Sequence, residues 1–261
     1  MIDLLGNVYS SRPGKKGLER PMVELLDLGT PGDTRCIFRK LVRAADKLYA
    51  LGSYRKIFRR EGPDHWVDLA SEGRGVPLPA DVETSNYSDM DFGFRDLAAF
   101  AENDMYAVGG SGDVWHFNGQ GWQQCAFPSN ALLETVCCGG DGAVYITDLH
   151  GSVWTGRGNQ WQLRVKGNID PGYQPEDAVW FKGRLYLGCR SGGLLTLEGD
   201  SLLSLGEVGQ FLPPPPWLCG RLDVSPCGEF MLTAGPRGAC LLDSEGWHWL
   251  FDIDDLCCDI A

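Results

Sequence analysis

Short apolar runs recur along this chain, each closed by a glycine-rich turn and followed by a second run, a second turn and a tryptophan. The clearest copy is Met105-Tyr-Ala-Val-Gly109, then the turn Gly110-Ser-Gly112, then Val114-Trp115, then Trp122. Runs this short, rich in β-branched and aromatic residues and bounded by glycine, predict strands rather than helices. Four more copies align on the same anchors. Lys47 to Gly52 leads to Ile57-Phe58 and Trp66, and Ala143 to Thr147 leads to Val153-Trp154 and Trp161. Arg184 to Gly188 leads to Leu194-Leu195 and then to Leu202-Leu203, where a tryptophan is expected; Glu229 to Gly235 leads to Ala239-Cys240-Leu241 and Trp247. The anchor aromatics are Tyr49, Tyr106, Tyr145 and Tyr186, with Met231 in the fifth copy. Their intervals of 57, 39, 41 and 45 residues match a four-stranded blade, except for the long first one.

Another apolar stretch precedes each anchor run: Ile37 to Val42, Leu97 to Phe100, Leu133 to Cys138, Val179 to Phe181 and Leu222 to Val224. These read as innermost strands, so each blade runs A, B, C, D outward from an axis. A row of such blades predicts an all-β propeller. At the ends, Asp255-Leu-Cys-Cys-Asp259 resembles the A strand Glu134-Thr-Val-Cys-Cys138. Ile2 to Leu5, Asn7 to Ser10 and Met22 to Leu28 then supply B, C and D strands. The expectation is a six-bladed β-propeller, residues 1–261 as a single domain, with one blade closed by a C-terminal innermost strand joined to N-terminal strands. Such closure removes two open sheet edges.

Propeller geometry sorts the connections. B–C turns and the D-to-A links between blades emerge on one face, and A–B and C–D turns on the other. The long connections are all D-to-A: Ser71 to Phe92, Gly167 to Glu176 and Gly206 to Leu218. The B–C turns add Asp113, Asp148, His150, Arg190 and Arg237 to the same face. Long loops gathered on one end of a rigid scaffold are binding equipment. Phe211-Leu-Pro-Pro-Pro-Pro-Trp217 reads as a stiff crossover whose tryptophan packs on that face.

Charge sharpens the picture. The chain holds 35 Asp and Glu against 23 Lys and Arg, a net charge of −12. Residues 1–60 carry 13 basic and 6 acidic groups, and the remainder 10 and 29. Asp81, Glu83, Asp89, Asp91, Asp96, Glu102 and Asp104 crowd one short span. Such a surface disfavours nucleic acid, whose phosphates need a basic face. No signal-peptide pattern and no apolar run of membrane-spanning length is present, so no membrane contact is expected. The ten cysteines lie mostly in strand-like runs, and the adjacent pairs Cys137-Cys138 and Cys257-Cys258 point to opposite faces; free thiols in a reducing cytoplasm are the expectation.

Catalytic patterns are scarce. His65, His116 and His248 each neighbour Trp or Phe in a strand and read as structural, whereas His150 lies in a turn beside Asp148. No metal-ligand spacing, calcium loop, nucleophile elbow or P-loop is found. Asp91-Phe-Gly93 lacks every other part of a kinase site. The reading is therefore no catalytic residues, no metal and no cofactor.

The repeat phrase, from Tyr106-Ala-Val-Gly109 to Trp122, resembles those of bacterial propellers with YVTN- or WD-like blades over roughly residues 36–251, without the Gly-His and Trp-Asp signatures of true WD40 blades. Compact acidic propellers of this kind are similar to immunity proteins that neutralise secreted bacterial toxins, including type VI secretion effectors. The resemblance implies a non-enzymatic inhibitor, monomeric outside its complex, that binds a basic toxin domain such as a nuclease. On that reading Asp81, Glu83, Asp89, Asp91 and Asp148 mimic phosphate, with His150 on the same face, and Tyr87 and Trp217 act as anchors. Alternatives are a propeller hydrolase or lyase with an axial pocket, and a general protein-interaction scaffold. The mostly apolar A strands weigh against the pocket.

Overall fold

The computed structural model describes residues 2, 6–10, 16–19, 37–70, 72–77, 93–167, 174–190, 193–209, 214 and 216–257. They form the four-stranded blades of a β-propeller, five in number, plus one two-stranded ribbon. In every blade the strand order follows the chain order, so the A-to-D reading of the repeat holds strand by strand. The chain divides into two compact units, residues 1–133 and 134–261.

The first unit opens with the ribbon, β1 (Tyr9–Ser10) against β2 (Gly17–Leu18). The first blade comprises β3 (Phe38–Ala44), β4 (Lys47–Gly52), β5 (Ile57–Gly62) and β6 (His65–Asp68). The second comprises β7 (Phe94–Ala101), β8 (Asp104–Gly109), β9 (Asp113–Phe117) and β10 (Trp122–Gln124). Leu51 and Ile57 on one side of the first blade pack with Phe94, Leu97, Met105, Phe117 and Trp122 of the second. Its other side buries Phe38, Ala50, Phe58 and Trp66 with Val8. Because both faces are covered, the strands read as continuous apolar runs instead of alternating ones.

The second unit holds three blades. The third blade comprises β11 (Leu133–Cys138), β12 (Val144–Asp148), β13 (Val153–Arg157) and β14 (Gln160–Val165). The fourth comprises β15 (Pro175–Phe181), β16 (Arg184–Cys189), β17 (Leu194–Glu198) and β18 (Ser201–Ser204), followed by the short helix α1 (Leu205–Val208). The fifth comprises β19 (Arg221–Val224), β20 (Met231–Gly235), β21 (Gly238–Leu242) and β22 (Trp247–Asp252), followed by α2 (Ile253–Cys257). Cys137, Tyr145 and Val153 meet Leu185 and Leu187 between the third and fourth blades. Tyr186 and Leu194 meet Leu222, Met231 and Leu242 between the fourth and fifth.

The expected sixth blade is not formed, and the count is corrected to five. Its proposed A strand is instead helical from Ile253 to Cys257. Local chemistry decides this: Asp252 Oδ1 accepts the Asp254 amide at 3.1 Å, as an N-cap does, and Asp254 and Asp255 occupy the first turn, where the helix dipole favours carboxylates. At the N-terminus only the two-residue strands of the ribbon and an Ile2–Val8 bridge form among the described residues. The expected D strand, Met22 to Leu28, lies outside the described residues.

Candidate functional site

In the first unit the B–C turn of the first blade holds Tyr54 and Arg55 in the left-handed region, at φ 56° and 54°. This aims the Arg55 guanidinium at Asp113, the first residue of β9: Nε donates to Oδ2 at 2.7 Å and Nη2 to Oδ1 at 2.9 Å. The Trp115 indole donates to the same carboxylate at 2.8 Å, and its ring lies 4.8 Å from the Arg55 guanidinium carbon. Arg55 and Asp113 are both buried. A charge pair so placed persists only with its polar groups occupied, and Arg55 Nη1 also donates to the carbonyl of Pro77. Pro77 leads into residues 78–92, so this network clamps the stem of the acidic connection to the blades. Asp81, Glu83, Tyr87, Asp89 and Asp91 themselves lie outside the described residues. Sequence reasoning placed Asp113 on the loop-bearing face but missed Arg55, its partner across 58 positions.

Part of the acidic cluster belongs to the blade itself. Asp96 is buried in β7, where Lys40 Nζ reaches its Oδ1 at 2.8 Å, and Asp104 pairs with His116 at 2.9 Å while Tyr106 stacks on the imidazole. In the second unit the equivalent Asp177 of β15 accepts the Leu222 amide at 3.0 Å. Asp96 and Asp177 thus stitch one A strand to the next, whereas Asp104 ties β8 to β9 within its blade. Among the described residues no three His, Cys, Asp or Glu side chains gather as a metal site, and no helix is long and apolar enough to cross a membrane.

The three described candidates of the second unit have different roles. Asp148 is buried, and its Oδ1 accepts the amides of His150 at 2.9 Å and Ser152 at 2.8 Å, shaping the β12–β13 turn. His150 is exposed at the tip of that turn. Trp217 sits in a 3-10 turn, Pro216–Leu218, with 47% of its surface exposed. Its indole donates to Asp252 Oδ2 at 3.1 Å, and its carbonyl accepts the amide of Arg237 in the β20–β21 turn at 3.1 Å. The Asp254 amide and, secondarily, the Trp217 indole hold the Asp252 carboxyl below its usual range.

Through Asp252, Trp217 meets the end of β22, a strand with exposed apolar side chains. Trp249 is 59% exposed and Leu250 53%, both in β22, the outermost strand of its sheet. Phe251, Ile253 and Leu232 are exposed beside them. Asp223, Asp254 and Asp255, also exposed, supply carboxylates on the same blade and the helix after it. The second unit carries 17 acidic against 8 basic residues, and of these carboxylates Asp254 is paired with Arg237. In the repeat Trp247 serves as the blade's anchor and His248 pairs with Asp243, which leaves residues 249–251 without a role. The signal is present all the same: Trp247-His-Trp-Leu-Phe251 is apolar on both strand faces, more than packing against one neighbour requires. Exposed apolar side chains gathered on an edge strand suit a contact with a partner.

The fold and these surfaces define a propeller whose equipment is suited to contact. No family model matches the chain. Its sequence is similar to the Immune protein Tsi7 of Pseudomonas aeruginosa, with 31% identity over 157 residues, 59% of this chain and 46% of that protein. The chain thus spans about half the length of the curated relative it matches. The resemblance to immunity-type propellers drawn from the repeat has its counterpart in that relative. Among solved structures, a streptogramin B lyase superposes with a TM-score of 0.60 at 12% identity, covering 83% of this chain and 68% of that one. YCF48 bound to D1 peptide gives 0.56 at 16% identity, covering 98% and 79%. At such identities these neighbours show the propeller fold alone.

Proposed function

We propose that this chain is a cytoplasmic immunity protein, without enzymatic activity of its own, that binds and neutralises a cationic toxin domain of the type VI effector kind. The similarity to Immune protein Tsi7 carries the proposal. The exposed aromatic surface among carboxylates supports it, because aromatic anchors supply desolvated contacts while opposite charge steers encounter. A nuclease is the toxin class best suited, since a phosphate-binding site is positive and complementary to a chain of net charge −12. Asp81, Glu83, Asp89 and Asp91 provide the mimicry on a stem fixed by Arg55 and Asp113; Tyr87 and Trp217 are anchors, and His150 stands at the tip of the β12–β13 turn that Asp148 shapes. The lyase reading draws no support from the A strands, where Lys40 and Asp96 neutralise one another.

The chain, immobilised and exposed to extract of its native cell, should retain a basic protein that is released by rising salt. Replacing Asp89 and Asp91 together by Lys should weaken that complex by about 10–100-fold and flatten its salt dependence. Unchanged affinity would remove the loop from the interface, and retention of no basic protein would sink the immunity reading.

A further inference from the structure

A cavity of about 240 Å³ opens between the fourth and fifth blades, walled by Phe181, Tyr186, Leu205, Val208, Leu242 and Trp247. Its polar rim is Lys182, Arg184 and Asp243. Asp243 is fully committed: its Oδ1 accepts the amides of Glu245 at 2.7 Å and Gly246 at 3.1 Å, and its Oδ2 lies 2.9 Å from His248 Nε2. Arg184 is held 2.9 Å from Glu198. Lys182 has no ion pair among the described residues. It occupies the β15–β16 turn at φ 47°, and its ammonium lies 5.0 Å from the Phe181 ring centroid.

Tyr186 is 93% buried, yet its hydroxyl has no hydrogen-bond partner among the described residues. Its counterpart in the third blade, Tyr145, donates to Asp141 Oδ2 at 2.6 Å, and Asp141 stands in that blade's A–B turn. In the fourth blade the tighter turn Lys182-Gly183 removes that acceptor and puts a cation in its place. The Trp247 indole N–H likewise has no partner among the described residues. An apolar slot with aromatic walls, unused donors and an unpaired ammonium is complementary to an acceptor that carries negative charge on an apolar body.

We infer that this cavity binds a small carboxylate with an aromatic body, the ring lying among Phe181, Tyr186 and Trp247 and the carboxylate meeting Lys182 and the Tyr186 hydroxyl. This site is independent of the toxin reading, and the failure of either leaves the other standing. For a ligand of about ten heavy atoms, Kd should fall near 1 mM.

Calorimetric titration of the whole chain with phenylacetate, phenylacetamide and phenethylamine tests it. The acid should bind about tenfold more tightly than the amide, and the amine least. Lys182→Asn removes the cation while suiting a left-handed turn position, so the fold should be kept. It should weaken phenylacetate binding about tenfold and leave the amide unchanged. Tyr186→Phe should weaken the acid by a similar factor. No detectable binding of the acid, equal binding of acid and amide, or an affinity untouched by Lys182→Asn would each overturn the assignment.

Discussion

Glu19 shows how much one side chain can fix. It is 99% buried and receives Arg60 Nη2 at 2.6 Å, the Trp66 indole at 2.9 Å and the Asp64 amide at 3.3 Å. Burial by itself raises its pKa, but the hydrogen bonds from Arg60 and Trp66 prevail and hold the carboxyl below its usual 4.5. The stability it contributes is therefore present above that value and lost as pH falls through the lowered one. Glu19→Ala should cost about 3 kcal/mol in urea denaturation, because it leaves Arg60 without its partner. Glu19→Gln should flatten the acid limb of the stability profile below the free carboxyl's value of about 4.3. An unchanged acid limb would mean that Glu19 is not what ties the ribbon to the first blade. Nothing in the pattern of residues near Glu19 announces Arg60 and Trp66, more than forty positions away. The cysteines were more legible: Cys125, Cys189, Cys219 and Cys240 are free and buried as small hydrophobes, and burial raises the Cys189 and Cys219 thiols to about 12.

At the scale of the element, the glycine that closes four of the five anchor runs has a steric reason at Gly109 and Gly188. Gly188 near the end of β16 lies against the Gly220 carbonyl of the next blade, and Gly109 at the end of β8 against that of Gly93; a methyl group at either would overlap backbone oxygen. Gly188→Ala should therefore lower stability by about 2 kcal/mol or more, read as a thermal shift of several degrees, since the obstacle is backbone and cannot turn aside. A shift below about one degree would show that the blades separate easily. The five repeat blades were legible because strand period, turn glycine and terminal tryptophan all act locally. The sixth was not. Its A strand was inferred from a Cys-Cys match, while Asp252, Asp254 and Asp255 were already signalling a helix start.

At the scale of the whole molecule, charge and exposed apolar surface oppose one another. A net charge of −12 opposes association at neutral pH, whereas Trp249, Leu250 and Phe251 expose apolar side chains on an edge strand. Near the isoelectric point of about 4.7 that repulsion vanishes. Light scattering should then show a single copy near neutral pH and association near the isoelectric point, suppressed by Trp249→Lys. Association untouched by that substitution would place the sticky surface elsewhere.

By itself the sequence determined the five repeat blades, their strand order and the acidic balance, because each depends on residues near one another in the chain. Only the tertiary structure decided that there are five blades and not six, that Asp148 is spent on its own turn and Asp96 on Lys40, and that Arg55 clamps the stem of the acidic connection. It also decided that Trp249 to Phe251 face solvent while Trp66 and Trp122 do not. Burial and pairing depend on what the rest of the chain brings alongside, and no local pattern carries that information.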